Sequence, residues 1–310
     1  MPFNRPEIIR PPSEHDSYYL PLTSGCSNNT CGFCAFSFTQ LGIRDLAEVK
    51  QEIDAMYLYV NNNIMMPGQP DIVYYILRAW NGRKIFLQDG DALVYPYPKL
   101  LEALQYLNGK FPYLQRIASY ATPQDILRRS VDELKALRDQ KLGILYVGVE
   151  SGDDEVLSHV QKGATHDQMV EAARKVKEAG ILLSVTVILG LGGVKGSEKH
   201  VAETARILTE MDPDFAGALT LTLIPGTQLH NEMEQGRFEL ITPFQSLQEL
   251  RTIVEKSSFT DCFFSSMHAS NYFAIRGNMP EDKAKVLKQL DTIIARRDPA
   301  LLRPEFMRGL

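Results

Sequence analysis

The chain has 310 residues, 44% of them hydrophobic and 23% charged; 33 Lys and Arg against 38 Asp and Glu leave a formal net charge of −5. That much apolar material can bury a core as one large domain, or one with a small appendage, and it excludes disorder as the dominant state. The acidic balance argues against a protein built mainly to grip nucleic acid, and no apolar run approaches the ~20 residues that cross a bilayer.

The segment Met1-Pro2-Phe3-Asn4-Arg5-Pro6-Glu7 lacks the apolar core of a signal peptide, so a cytoplasmic protein with an N-terminal extension over residues 1–17 is expected. The first predicted strand is Tyr18–Thr23. It runs into Cys26-Ser27-Asn28-Asn29-Thr30-Cys31-Gly32-Phe33-Cys34, which places three of the chain's four cysteines within nine residues. Three thiolates on one short loop can converge on a metal centre, yet Zn²⁺ or a [4Fe–4S] cluster normally takes four ligands. One coordination position is left open, and on an iron–sulfur cluster such a position can bind a small molecule. Cys262, beside Asp261 and Phe263, reads as a buried small residue and not as the fourth ligand.

Apolar residues Leu46, Val49, Ile53, Met56, Tyr57 and Val60 recur at helical spacing. Strands follow at Lys84–Gln88 and Arg116–Tyr120, the latter leading into Thr122-Pro123, an N-cap with proline at the first helical position. A fourth strand spans Ile144–Val149. Thr165 and Gln168 are spaced as a capping box ahead of Met169, Ala173 and Val176, and Gly180 is placed to end that helix. The fifth and sixth strands are Leu182–Leu189 and Ala216–Leu223, after which two helices are predicted, Phe244–Lys256 and Glu281–Arg296, the second opened by Pro280.

Six strand–helix units in succession point to an α/β fold, a partial (β/α)6 TIM-like barrel of parallel strands over residues 18–230, with function collecting at the C-terminal strand ends. Residues 231–310 form a C-terminal helical extension that covers or flanks it.

The cysteine loop, together with the residues closing the later strands, resembles the radical S-adenosylmethionine (SAM) enzymes, in particular the branch of oxygen-independent coproporphyrinogen oxidase, the Elongator-type proteins and the methylthiotransferases. The resemblance covers residues 18 to 230. It implies that Cys26, Cys31 and Cys34 hold a [4Fe–4S] cluster whose fourth iron is chelated by SAM. The family spacing is C-x₃-C-x₂-C, whereas this chain reads C-x₄-C-x₂-C; Gly25 and the adjacent Asn pair permit the turn that absorbs the extra residue.

By the same resemblance, Phe33 is the aromatic residue beside the SAM adenine, and Asp89-Gly90-Asp91, closing the second strand, receives the SAM ammonium. Glu150 and Ser151 close the fourth strand, and Lys162 stands twelve positions after Glu150. A strand-end carboxylate there can accept ribose or ammonium protons and a cation can pair with the SAM carboxylate, although Lys offers no bidentate clamp. Ile188 and Gly190 flank the adenine. The glycine run after the fifth strand matches neither G-x-G-x-x-G nor a P-loop, since Lys195 stands at the third glycine position.

The implied chemistry is reductive cleavage of SAM to a 5′-deoxyadenosyl radical that abstracts hydrogen from substrate, fed by a one-electron donor such as flavodoxin or ferredoxin. Tyr120, His268 and Asn271 are the candidate substrate-contacting residues; His268 and Asn271 could equally hydrogen-bond a loop. A second cysteine cluster of the kind used in sulfur insertion is missing from these residues, which favours a small-molecule substrate over tRNA. Two other readings stand beside this one. The first is an RNA-modifying radical SAM enzyme; the second is a non-catalytic zinc-binding or degenerate protein with His15 or His268 as fourth ligand.

Overall fold

The computed structural model describes residues 3–309. In chain order the strands are β1 (Tyr18–Pro21), β2 (Thr23–Ser24), β3 (Gly42–Ile43), β4 (Lys84–Gln88), β5 (Arg116–Tyr120), β6 (Leu142–Glu150), β7 (Leu182–Leu189), β8 (Phe215–Thr220), β9 (Cys262–Ser265) and β10 (Arg276–Met279). The helices are α1 (Leu46–Asn62), α2 (Asp71–Ala79), α3 (Tyr97–Lys110), α4 (Pro123–Leu127), α5 (Val131–Asp139), α6 (Asp154–His159), α7 (His166–Glu178), α8 (Gly193–Met211), α9 (Gln228–Glu234), α10 (Pro243–Lys256) and α11 (Lys283–Arg296). One sheet orders eight strands as β1-β4-β5-β6-β7-β8-β9-β10, and β2 and β3 form a separate two-stranded ladder.

Two compact units divide the chain. The first comprises residues up to Asn29, Phe38–Tyr146 and Lys175–Leu182. Here β1, β4, β5 and the start of β6 pair in parallel. Their runs of Tyr18, Leu20, Ile85, Phe86, Leu87, Ile117 and Ala118 are buried, as expected for parallel strands covered on both faces. Helix α1 starts where Asp45 accepts the Ala47 N–H at 2.7 Å and stops at Asn63, which is left-handed at φ 55°. Its buried face, Val49, Ile53, Ala55 and Met56, also carries Glu52. That carboxylate is fully enclosed and answered by Arg5 at 2.9 Å, Arg44 at 2.7 Å and the Tyr18 hydroxyl at 2.6 Å. Such a buried ion group is tolerated because its lone pairs are met.

The second unit comprises Thr30–Ser37, Val147–Arg174 and the residues from Leu183 onward. Strands β7, β8 and β9 pair in parallel and β10 closes antiparallel on β9, while α8 and α11 pack on α10.

Strands β4, β5 and β7 have the expected bounds. The first predicted strand is cut at Pro21, because Thr23–Ser24 turns away to pair with Gly42–Ile43 across the base of the cysteine loop. Two strands, β9 and β10, were not expected, and both come from the segment read as helical. Helix α11 begins at Lys283, not at Glu281. Pro280 lies in the turn before it, and the Asp282 carboxylate is occupied by the Asn278 N–H at 3.0 Å. The Thr165–Gln168 capping box and the Thr122 N-cap form as read.

Candidate cofactor site

In the first unit the cysteine loop leaves β2 through Gly25, whose φ of +76° is a left-handed conformation that suits glycine. The Gly25 N–H donates to Asp89 Oδ2 at 2.9 Å, and its carbonyl accepts the Gly90 N–H at 3.1 Å. The Ser27 hydroxyl donates to Asp91 Oδ2 at 3.1 Å. Cys26 lies between these two anchors, its Sγ 4.0 Å from the Gly90 carbonyl.

Asp91 is fully enclosed. One of its carboxylate oxygens accepts from the Leu93 N–H at 2.8 Å, the other from the Thr122 N–H at 3.0 Å and hydroxyl at 2.8 Å. Burial, and then the neighbouring Asp125 carboxyl, hold the Asp91 carboxyl well above the usual range. Burial pushes Asp89 up to about 6, against the pull of the Gly25 N–H. Both carboxylates of the Asp-Gly-Asp segment therefore face the protein's own loop backbone. Tyr120, at the end of β5, packs edge-on against Phe86 at 5.1 Å, and burial raises its hydroxyl far above the ordinary tyrosine value.

In the second unit the Gly32 N–H donates to the Val160 carbonyl at 2.8 Å and the Gly32 carbonyl accepts the Leu229 N–H at 2.9 Å. This pins the Cys31–Cys34 stretch to α6 and α9. Phe33 and Ile188 pack on an apolar cluster of Val160, Leu191, Leu221 and Leu229. Glu150 closes β6 at φ 67°, and Lys162 Nζ donates to its Oε1 at 2.8 Å, both side chains being nearly enclosed. The pair occupies space that only a glycine at 148 leaves open, since a Cβ there would come within 2.0 Å of Glu150 Oε1. Burial raises the Cys34 thiol; the Phe36 backbone N–H and then Lys162 pull it back, and Glu150 opposes them. Cys31, Phe33, Cys34, Glu150, Lys162 and Ile188 thus share one unit, as Cys26, Asp89, Gly90 and Asp91 share the other.

Ser151 and Gly190 serve as supports. The Ser151 hydroxyl accepts the Asp153 N–H at 3.0 Å and lies 2.8 Å from His200 Nδ1. His200 Nε2 is 3.0 Å from the Ile188 carbonyl, so it carries the proton, and Nδ1 accepts from Ser151. Burial lowers the imidazole to about 4, keeping it neutral. The Gly190 N–H donates to Glu249 Oε2 at 2.7 Å, and Ser197 Oγ to Oε1 at 2.5 Å.

Asn271 is buried, with its amide nitrogen donating to the carbonyls of Ala218 at 2.7 Å and Ser266 at 2.9 Å and its oxygen accepting from Thr220 at 2.8 Å. Those bonds staple the end of β8 to the loop that carries Asn271. His268 Nδ1 accepts the Ser270 N–H at 3.2 Å, and burial followed by Arg303 lowers its pKa. Cys262 is buried at the start of β9. The supporting residues Thr23, Asp125, His200 and Glu249 were not foreseen from the sequence. Only Thr122, read as a cap, carried a local signal.

The donor set suits an iron–sulfur cluster. Three cysteine side chains are available as donors, Cys31 buried and Cys26 and Cys34 partly so. Lys162 supplies a positive charge that favours the Cys34 thiolate.

The family model described as the radical SAM superfamily matches residues 20–206. Among curated relatives, the heme chaperone HemW of Bacillus subtilis is 22% identical over 79% of this chain and 64% of its own. A tRNA-2-methylthio-N(6)-dimethylallyladenosine synthase of Nitrosospira multiformis is 23% identical over 77% of this chain and 47% of its own. Among solved structures, the coproporphyrinogen III oxidase HemN of Escherichia coli superimposes with a TM-score of 0.52 at 17% identity, over 77% of this chain and 51% of that one. This likeness gives the fold, an α/β sheet of mostly parallel strands in the partial-barrel class. The chain spans between 34% and 64% of the length of the first curated relatives.

Proposed function

The chain belongs to the radical SAM superfamily, and from that membership we propose that it is a radical SAM enzyme acting on a small molecule, with Cys26, Cys31 and Cys34 as ligands of a [4Fe–4S] cluster. Bound there, the cluster and SAM supply reductive cleavage of SAM to a 5′-deoxyadenosyl radical, given electrons one at a time by a donor such as flavodoxin or ferredoxin. The protein's part is to bind and orient. Lys162 pairs with the SAM carboxylate, Glu150 accepts from its ammonium or ribose hydroxyls, and Phe33 and Ile188 offer an apolar face to the adenine. Gly190, held by Glu249, fixes the backbone that follows β7 beside Ile188.

The observation that carries this reading is the anchoring of the Cys31–Cys34 stretch in the same unit as the nearly enclosed Glu150–Lys162 pair, whose charges act on Cys34. Anaerobic reconstitution with iron and sulfide, followed by metal and sulfide counting, tests it. The expected result is about four irons per chain, lost in Cys31→Ala; binding of zinc alone would overturn it.

A small-molecule substrate is supported by the net charge of −5 and by the placement of the cysteines, three in the loop and the fourth buried in β9. The tRNA synthase among the relatives supports the rival RNA substrate. Tight tRNA binding that weakens steeply with salt would decide for the rival. Among the described residues no helix is long and apolar enough to cross a membrane.

A further inference from the structure

We infer that Asp89 and Asp91 are positioning residues for Cys26, a clasp that sets one cluster ligand before any cofactor arrives, and do not themselves bind SAM. The meaning of the clasp rests on the cofactor reading above, because Cys26 must be a ligand for its placement to matter. The geometry is separate. Four of the five residues from Thr23 to Ser27 meet the Asp89-Gly90-Asp91 segment. The Thr23 hydroxyl accepts the Asp89 N–H at 3.0 Å and donates to the Asp91 carbonyl at 3.2 Å. Gly25 is held through both its N–H and its carbonyl, at 2.9 and 3.1 Å, and Ser27 through its hydroxyl at 3.1 Å. A Cβ at Gly90 would stand 3.0 Å from the Cys26 Cβ, so the segment approaches as closely as a glycine allows.

Neither carboxylate is presented to solvent, Asp89 being 3% and Asp91 0% exposed. Asp91 already takes four donors from the protein, three of them on Oδ2 and one on Oδ1, and its side chain is enclosed by the residues that supply them. What Asp89 supplies to the loop is an acceptor oxygen, which an asparagine also has. A ligand ammonium would instead call for the negative charge. The two roles therefore separate in the Asn variant.

The test is made on the cofactor-free chain, kept reduced and anaerobic. Cys26 and Cys31 alkylation by iodoacetamide is followed by peptide mass spectrometry, with Cys31 as the internal reference. Asp89→Ala is expected to speed Cys26 alkylation about tenfold relative to Cys31, because the local opening that exposes the thiol becomes easier; Asp89→Asn is expected to stay within about twofold of the unaltered chain. Equal rates in Asp89→Ala and the unaltered chain, or Asp89→Asn matching Asp89→Ala, would overturn the clasp. Should Asp89→Ala not fold, Ser27→Ala, which removes only the outer arm, decides it. An increase of about threefold is expected there, and no increase refutes the proposal. Iron release from reconstituted protein to a chelator should rise in the same order. A chain that takes up no iron counts against the cofactor reading, while the alkylation rates still judge the clasp.

Discussion

Glu249 offers a direct check on the electrostatics of the second unit. It is 3% exposed, and burial raises its carboxyl from the ordinary 4.5 to about 7, against the hydrogen bonds from Ser197 and Gly190. The native state therefore keeps a proton that the unfolded chain has lost between those values. The stabilisation is fully present below about pH 4.5, falls as pH rises toward about 7, and is flat above that. A difference of ~2.5 units corresponds to about 3 kcal/mol. In Glu249→Gln the amide oxygen can accept from Gly190 and the amide nitrogen can donate to Ser197, so the bonds persist and the titration does not. Urea unfolding of both proteins from pH 4.5 to 8 isolates the effect, since groups common to both cancel. The stability of the native chain should fall by about 3 kcal/mol relative to the Gln variant across that window. Parallel curves would show that Glu249 is not held protonated.

Three further perturbations follow from the same geometry. A Cβ at Gly152 would lie 2.1 Å from the Glu203 carbonyl oxygen, a backbone atom of α8, so Gly152→Ala should destabilise the protein by about 3 kcal/mol through forced movement of that helix, read as a lowered urea midpoint; an unchanged midpoint contradicts the packing. Asn271→Ala strands two carbonyls and the Thr220 hydroxyl, a loss of about 2–4 kcal/mol; impaired turnover with unaltered stability would instead mean that Asn271 touches substrate. Lys162→Met leaves Glu150 nearly enclosed without its partner at 2.8 Å, at a cost of about 3 kcal/mol that the double variant with Glu150→Gln should largely recover. It should also slow Cys34 alkylation by raising its thiol pKa, and a faster rate would contradict the placement of that charge.

Strands β4, β5 and β7 could be read from sequence to the residue because short stretches rich in apolar and β-branched residues are set off by polar and turn residues. Lys84–Gln88 brackets Ile85-Phe86-Leu87, and Leu182–Leu189 carries Val185, Val187 and Ile188 even though Ser184 and Thr186 interrupt it. Strand β10, Arg-Gly-Asn-Met, is four residues long and has no β-branched residue, so its exposed–buried alternation is too short to read, and its pairing with β9 supplies what its composition lacks. The cysteine loop declared itself through spacing. The use of Asp89 and Asp91 did not, because their partners in the cysteine loop and the strand before it lie 64 to 68 residues earlier in the chain and only the fold brings them together. Asn271 was open to two roles for the same reason: its partners Thr220 and Ala218 are 51 and 53 residues away. Local signals such as the Thr165–Gln168 box survive because their partners are three residues apart.

The cofactor reading predicts a product that can be measured without knowing the substrate. After anaerobic reconstitution with iron and sulfide, the protein is reduced with dithionite in the presence of SAM, and 5′-deoxyadenosine is quantified by chromatography beside a Cys31→Ala control. 5′-Deoxyadenosine is expected from the unaltered chain and none above background from the control. Equal amounts from both, or none from a preparation that holds its full iron and is supplied with candidate substrates and a flavodoxin-type donor, would contradict the cofactor reading.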